Sequence, residues 1–354
     1  MTTVDTLFAA RDLPALLRFA DGRPVTKDRW EERRTELVEI LCREVYGNAP
    51  AAPAEVRVTE VKCKEKDFAG KGRLRELTLA FDTDKGEFAF PVTEILPTEG
   101  KNVPMFVMLN FRPDIPDRYL PVEELLDAGC GVIRIYYNDV AFDGEDHFEG
   151  GLAAMYDRTV YTWGKLRMWA FAASRVMDYL QTTDYADLSR VAVAGHSRLG
   201  KTALLTAATD TRFALACANN SGCSGDAITR GKVGERVKAI TDRFPYWFCE
   251  NYKKYAEKED EMPFDQHFLV AAIAPRHVAL GAALEDKWAD PDSQYLSACA
   301  ASPAWELLGE KGFLHPDRMP LPGDCFDGGH VAYHLREGTH FFSRTDWRRY
   351  LCLI

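Results

Sequence analysis

The stretch VAVAGHSRLGKTALLTAATD, 191–210, restricts the possible folds more than any other part of the chain. Val191, Ala192, Val193, Ala194 and Gly195 are small or β-branched, as a strand buried on both faces requires. The turn Gly195-His196-Ser197-Arg198-Leu199-Gly200 brackets one serine with two glycines, with one residue more before the second glycine than the G-x-S-x-G pattern has. Residues 201–208 are rich in helix formers. A sharp turn between strand and helix needs glycines because a neighbouring Cβ would collide with the elements it joins. Such a turn lifts the Ser197 hydroxyl over a helix N-terminus, where free N–H groups stabilise a developing oxyanion. Ser197 is therefore the candidate nucleophile.

Upstream, residues 26–46 carry apolar side chains at helical spacing (Leu37, Ile40, Leu41, Val45) after the cap candidate Thr26, and GNAPAAP stops the helix. Three alternating segments, 55–63, 73–81 and 87–96, are separated by Gly, Lys and Asp clusters and predict an antiparallel sheet edge. From Pro104 strands alternate with helices. The strands are 104–111, 131–139, 191–195, 213–222 and 277–284, a long helix spans 162–182, and 232–276 reads as largely helical with loops at Pro245 and Pro263. The tail from His330 predicts a strand, a loop holding His340 and a closing helix. With no linker or repeat, the expectation is one domain over 1–354: an N-terminal helix and antiparallel strands at about 25–100, and a core at about 101–354 built on a mostly parallel sheet.

The chain is long enough to bury a large core: 354 residues, 46% of them hydrophobic. Its 44 basic and 54 acidic residues give a net charge of -10, which offers no general attraction for nucleic acid or an anionic membrane. No apolar run approaches the roughly 18 residues of a membrane span. Nine scattered cysteines without C-x-x-C spacing read as reduced structural thiols, and the histidines form no metal-binding array, so no metal or cofactor is expected. With acidic residues early and no apolar signal region, the expected location is cytoplasmic.

A serine hydroxyl attacks a carbonyl only if a base takes its proton, and the base needs an acid to fix its tautomer. His340 is the best base: it follows the last strand, whereas His330 and His334 fall within the strand pattern. His196 is expected to point to the opposite side of the turn, and His267 to pack on a helix. Glu285, Asp286 and Asp290 all follow the strand 277–284, and only one of Glu285 and Asp286 can face His340. The order Ser, acid, His, each just past a strand, is that of the α/β-hydrolase three-layer sandwich. Arg198 follows the nucleophile, so its N–H is one oxyanion donor; a second is expected from the loop after 104–111, at Phe111.

The motifs GHSRLGK, NNSGCSG, FPYWFCENYKKY, DQHFLVAAIAPR, EDKWADP and THFFSRTDW, in this order, resemble those of the glucuronoyl esterases, carbohydrate esterase family fifteen, over about residues 25–354. The resemblance implies an α/β-hydrolase without a cofactor that cleaves the ester between 4-O-methylglucuronate and a lignin-type or simple alcohol. Its small-molecule or oligosaccharide partner is then a uronate ester. It assigns Ser197 as nucleophile, His340 as base and Asp286 as acid, Arg198 as oxyanion support, and Lys201, Glu235 and Trp288 as the residues that hold the uronate. The last three suit a sugar chemically: an N–H donor on a flat ring, a cationic donor and a carboxylate acceptor. One departure is Asn220, where many members carry a glutamate, which throws the load on the acid in EDKW. An acetyl or feruloyl sugar esterase is the alternative, and the intact triad set argues against a non-catalytic carbohydrate-binding relative.

Overall fold

The computed structural model describes residues 4–160 and 162–354. Among the described residues, ten strands form one sheet: β1 (Arg57–Asp67), β2 (Gly72–Thr83), β3 (Gly86–Pro97), β4 (Val103–Asn110), β5 (Gly131–Tyr136), β6 (Ala186–His196), β7 (Leu215–Asn219), β8 (His277–Ala283), β9 (Cys325–Phe326) and β10 (Val331–Arg336). Their spatial order is β1-β2-β3-β5-β4-β6-β7-β8-β10-β9. The run from β5 to β10 is parallel, β1, β2 and β3 join it antiparallel, and β9 closes the far edge antiparallel to β10.

The helices that cover the sheet are α1 (Trp30–Leu41), α2 (Val122–Asp127), α3 (Lys165–Leu180), α4 (Arg198–Thr209), α5 (Pro291–Ala301) and α6 (Arg344–Leu351). Alternation along the central strands divides the core into two layers. Met105, Val107, Leu109, Val191 and Val193 pack with α3 and α4 on one face, while Phe106, Met108, Ala192 and Ala194 pack with α2 and α6 on the other. Both faces are dry, which is why these strands read as continuous apolar runs. Glu94 of β3 ties the antiparallel edge to the parallel half. Its fully buried carboxylate accepts from Arg75 at 2.7 Å and Tyr179 of α3 at 3.1 Å, and also from Tyr185.

Several expectations needed correction. Residues 232–276 are much less helical than predicted, with α-helix at Val237–Arg243 and His267–Ala271 and only short 3₁₀ turns elsewhere. Pro245 and Pro263 interrupt the ladder, and side chains accept from some of the segment's N–H groups: Glu259 from Val237 and Asp265 from Gln266. Thr26 makes no side-chain cap. The two-residue β9 is too short to leave an alternating pattern. Residues 131–139 split into β5 and a helical turn, Tyr137–Val140, which redirects the chain toward the site.

Candidate active site

The C-terminal ends of the parallel strands converge on one edge of the sheet, where open α/β sheets place their ligands. β6 runs into α4 through Ser197, whose φ of 58° and ψ of −126° lie outside the regions that ordinary L-residues occupy. Its N–H donates to Asn219 O at 2.8 Å, holding the turn against the end of β7. A Cβ on Gly195 would overlap the Leu199 carbonyl, and one on Gly200 would lie 3.1 Å from Asn219 O. The second glycine, displaced by one residue, thus still lets the helix approach the neighbouring strand.

The loop after β8 delivers Asp286 and the loop after β10 delivers His340; Asp286 Oδ2 accepts from His340 Nδ1 at 2.6 Å. This leaves Nε2 as the basic nitrogen of the neutral ring. Asn220 Nδ2 also donates to Asp286 Oδ2, at 2.7 Å. Burial pushes the Asp286 carboxyl up, but the hydrogen bond and charge of His340, with the Asn220 amide, outweigh it and hold the group below its ordinary value. Glu285 is exposed, so Asp286 is the residue the fold brings to His340. Asp290 is buried as the cap of α5, accepting from Ser293 N and Oγ and from Val233 N.

Ser197, Asp286 and His340 line a cavity of about 300 Å³ together with Arg198, Lys201, Glu235 and Trp288. Lys201 and Glu235 are buried and Trp288 stands half-exposed at 52%. The three are linked: Trp288 Nε1 donates to Glu235 Oε1 at 3.1 Å, and Lys201 Nζ lies 3.7 Å from Glu235 Oε2 while donating to Ser221 O. Beneath the Ser221 loop, fully buried Asp226 accepts from Ser221 Oγ, Gly222 N and Gln294 Nε2, and burial raises its carboxyl to about 6.

Two expectations fail. The Phe111 N–H donates to Asn110 Oδ1 at 2.9 Å and is therefore not a free oxyanion donor; its ring instead packs beside the Arg198 guanidinium, 5.5 Å from the centroid. His196 does not point away from the site: its ring lies 4.5 Å from that of His340, and its Nδ1 pairs with Asn219 Oδ1 at 2.7 Å. Burial and the adjoining His340 lower its pKa to about 3, so it stays neutral beneath the base. His334 pairs with Asp346 at 2.8 Å and is structural, and His267 is buried against Pro14 O. Of the residues that surround Arg198, Phe244 and Trp247 lie within the FPYWFCENYKKY motif, where no role was assigned to them, and Asp143 lies in none of the motifs. Among the described residues, no group of three or more His, Cys, Asp or Glu is arranged to hold a metal ion, and no helix is long and apolar enough to cross a membrane.

The family model for glucuronyl esterases of fungi matches residues 82–309. A carbohydrate esterase from an unknown prokaryotic organism is 34% identical over 384 residues, covering 96% of this chain and 88% of that protein. The chain belongs to the glucuronoyl esterases, carbohydrate esterase family 15. The solved glucuronoyl esterase from Solibacter usitatus superposes with a TM-score of 0.88 at 34% identity, covering 96% of both chains. The 4-O-methyl-glucuronoyl methylesterase of Phanerochaete carnosa is 29% identical and covers 84% of this chain and 72% of its own length. The ten-stranded sheet is accordingly an α/β-hydrolase sheet.

Proposed function

We propose that this glucuronoyl esterase hydrolyses esters of (4-O-methyl)glucuronic acid through Ser197, His340 and Asp286. The observation that carries the reading is that the paired Asp286–His340, Ser197 and the linked Lys201, Glu235 and Trp288 all line one cavity. His340 Nε2 takes the Ser197 proton as Oγ attacks the ester carbonyl carbon. The resulting oxyanion is met by the free N–H groups at the start of α4 and by Arg198. Collapse breaks the C–O bond to the alcohol, which leaves with the proton from His340; water, activated by the same nitrogen, then releases the uronate and restores Ser197. Trp288 offers a flat face to the pyranose ring, and Lys201 and Glu235 supply a donor and an acceptor for its hydroxyls.

The test compares benzyl or methyl glucuronate with p-nitrophenyl acetate and acetylated xylo-oligosaccharides, using the wild type and Ser197→Ala. Turnover should favour the uronate ester and vanish in Ser197→Ala while the thermal transition persists. Preferred turnover of an acetyl ester points instead to a carboxylesterase of other specificity, and unchanged turnover in Ser197→Ala removes the serine assignment.

A further inference from the structure

Asp143 stands 55 residues before Arg198 and meets it at the floor of the site. Its carboxylate is almost fully buried. Oδ2 accepts from Arg198 Nη1 and from Tyr137 OH at 2.9 Å, and Oδ1 accepts from Trp247 Nε1 at 2.7 Å. The Asp143 N–H donates to Asn138 Oδ1 at 2.7 Å. The loop that carries it is itself pinned: the fully buried Lys165, first residue of α3, donates from Nζ to Phe142 O, Gly144 O and Asp146 Oδ1, each at 2.6 Å.

The guanidinium of Arg198 is also caged by rings, with Cζ 4.6 Å from the Trp247 centroid, 5.2 Å from Phe244 and 5.5 Å from Phe111. Phe244 and Trp247 stack on each other with centroids 3.8 Å apart and planes within 3°. A long arginine side chain has many rotamers, and ordering one costs up to about 2 kcal/mol. An oxyanion donor is effective only when it is already in place before charge develops. We infer that Asp143 is a positioning residue for ester hydrolysis: with Trp247 and Tyr137 it holds Arg198 against the aromatic cage so that the cation is preset beside Ser197. This rests on the proposed role of Arg198 at the oxyanion.

Two effects of the Asp143 charge compete. The carboxylate partly offsets the pull of Arg198 on an oxyanion, so its removal would speed the reaction if the guanidinium stayed in place. It also sets where that guanidinium sits. Orientation should win, because an ion pair with additional hydrogen bonds and three flanking rings leaves the arginine one arrangement, whereas the freed side chain can swing out to water.

The experiment is a double-mutant cycle on kcat and KM for benzyl glucuronate, with Asp143→Ala, Arg198→Ala and the double variant, each checked by thermal unfolding. Arg198→Ala should lower kcat by roughly 10²–10³, the range for losing one oxyanion donor. Asp143→Ala should lower kcat about tenfold or more and leave KM within about twofold, and the double variant should be no slower than Arg198→Ala alone. Trp247→Phe, which removes the N–H donor and part of the ring beside Arg198, should give a smaller loss that likewise vanishes in the Arg198→Ala background. Wild-type or faster kcat in Asp143→Ala, or losses that add across the cycle, would overturn the positioning role. Wild-type kcat in Arg198→Ala would remove the oxyanion reading on which that role stands.

Discussion

The proposed acid of the site is singled out by burial and by partners that reach it from separate loops. Asp286 faces His340 and Asn220 inside the fold, while Glu285, its neighbour in sequence, faces water. Because its carboxyl is held low, Asp286 is ionised at neutral pH and keeps His340 Nδ1–H directed at it. Asn220 contributes an amide donor to this carboxylate, so it aligns the acid and leaves charge compensation of the imidazolium to Asp286 alone. Asp286→Asn should therefore reduce kcat on benzyl glucuronate by roughly 10⁴, as loss of a triad acid does, whereas Glu285→Gln should keep the wild-type rate. The reverse pattern in steady-state kinetics would transfer the role to Glu285.

The strand–turn–helix unit of β6 and α4 stores strain at Ser197, the proposed nucleophile. Ser197 occupies a positive-φ conformation that costs about 1–3 kcal/mol for a residue with a Cβ, and the surrounding contacts keep it there. Ser197→Gly should therefore be more stable than Ser197→Ala by about 1 kcal/mol, the strain relieved being reduced by glycine's greater unfolded-chain entropy. Urea unfolding of the two inactive variants measures this difference directly. Equal stabilities would mean that the turn carries no strain at Ser197.

Around neutral pH the stability of the protein responds to buried histidines and, in the opposite sense, to Asp226, whose carboxyl, raised to about 6 by burial, takes up a proton in the folded state as the pH falls through that value. Burial lowers His196 to about 3 and His267 to about 4, and it lowers His277 as well, all from an ordinary value of 6.5. As pH falls below 6.5 the unfolded chain binds protons that the folded chain refuses, so stability declines with acidification until the folded values are reached. Asp286 and Asp346, both held low, lose their contribution only as the pH falls below about 3.8, outside the range from pH 7 to pH 5. Between pH 7 and pH 5 each of His196 and His267 should remove about 2 kcal/mol. Denaturant unfolding at the two pH values measures the loss, and His267→Gln should reduce it by about that share. An undiminished loss in this variant would place the proton uptake elsewhere.

The elements readable from the amino-acid order are those whose cause is local. The apolar run of β6 and its glycine-bracketed turn, the alternation of β1 to β3, and the positions of Ser197, of the adjacent Glu285 and Asp286, and of His340 just past the ends of β6, β8 and β10 each depend on residues close in the chain, and the structure places them there. Lys201, Glu235 and Trp288 were reached through the family motifs and do come together in one cavity. What remained open depended on side chains meeting across long separations. Glu285 and Asp286 differ only in which way the chain turns after β8, and the Phe111 N–H is diverted by the side chain of Asn110, a contact that no periodicity reveals. Asp143 has no motif around it and becomes a partner of Arg198 only because Lys165 wraps its loop against the start of α3. Strand and helix patterns record which face of an element is buried; they do not record which polar atoms the packed elements finally bring within reach of one another.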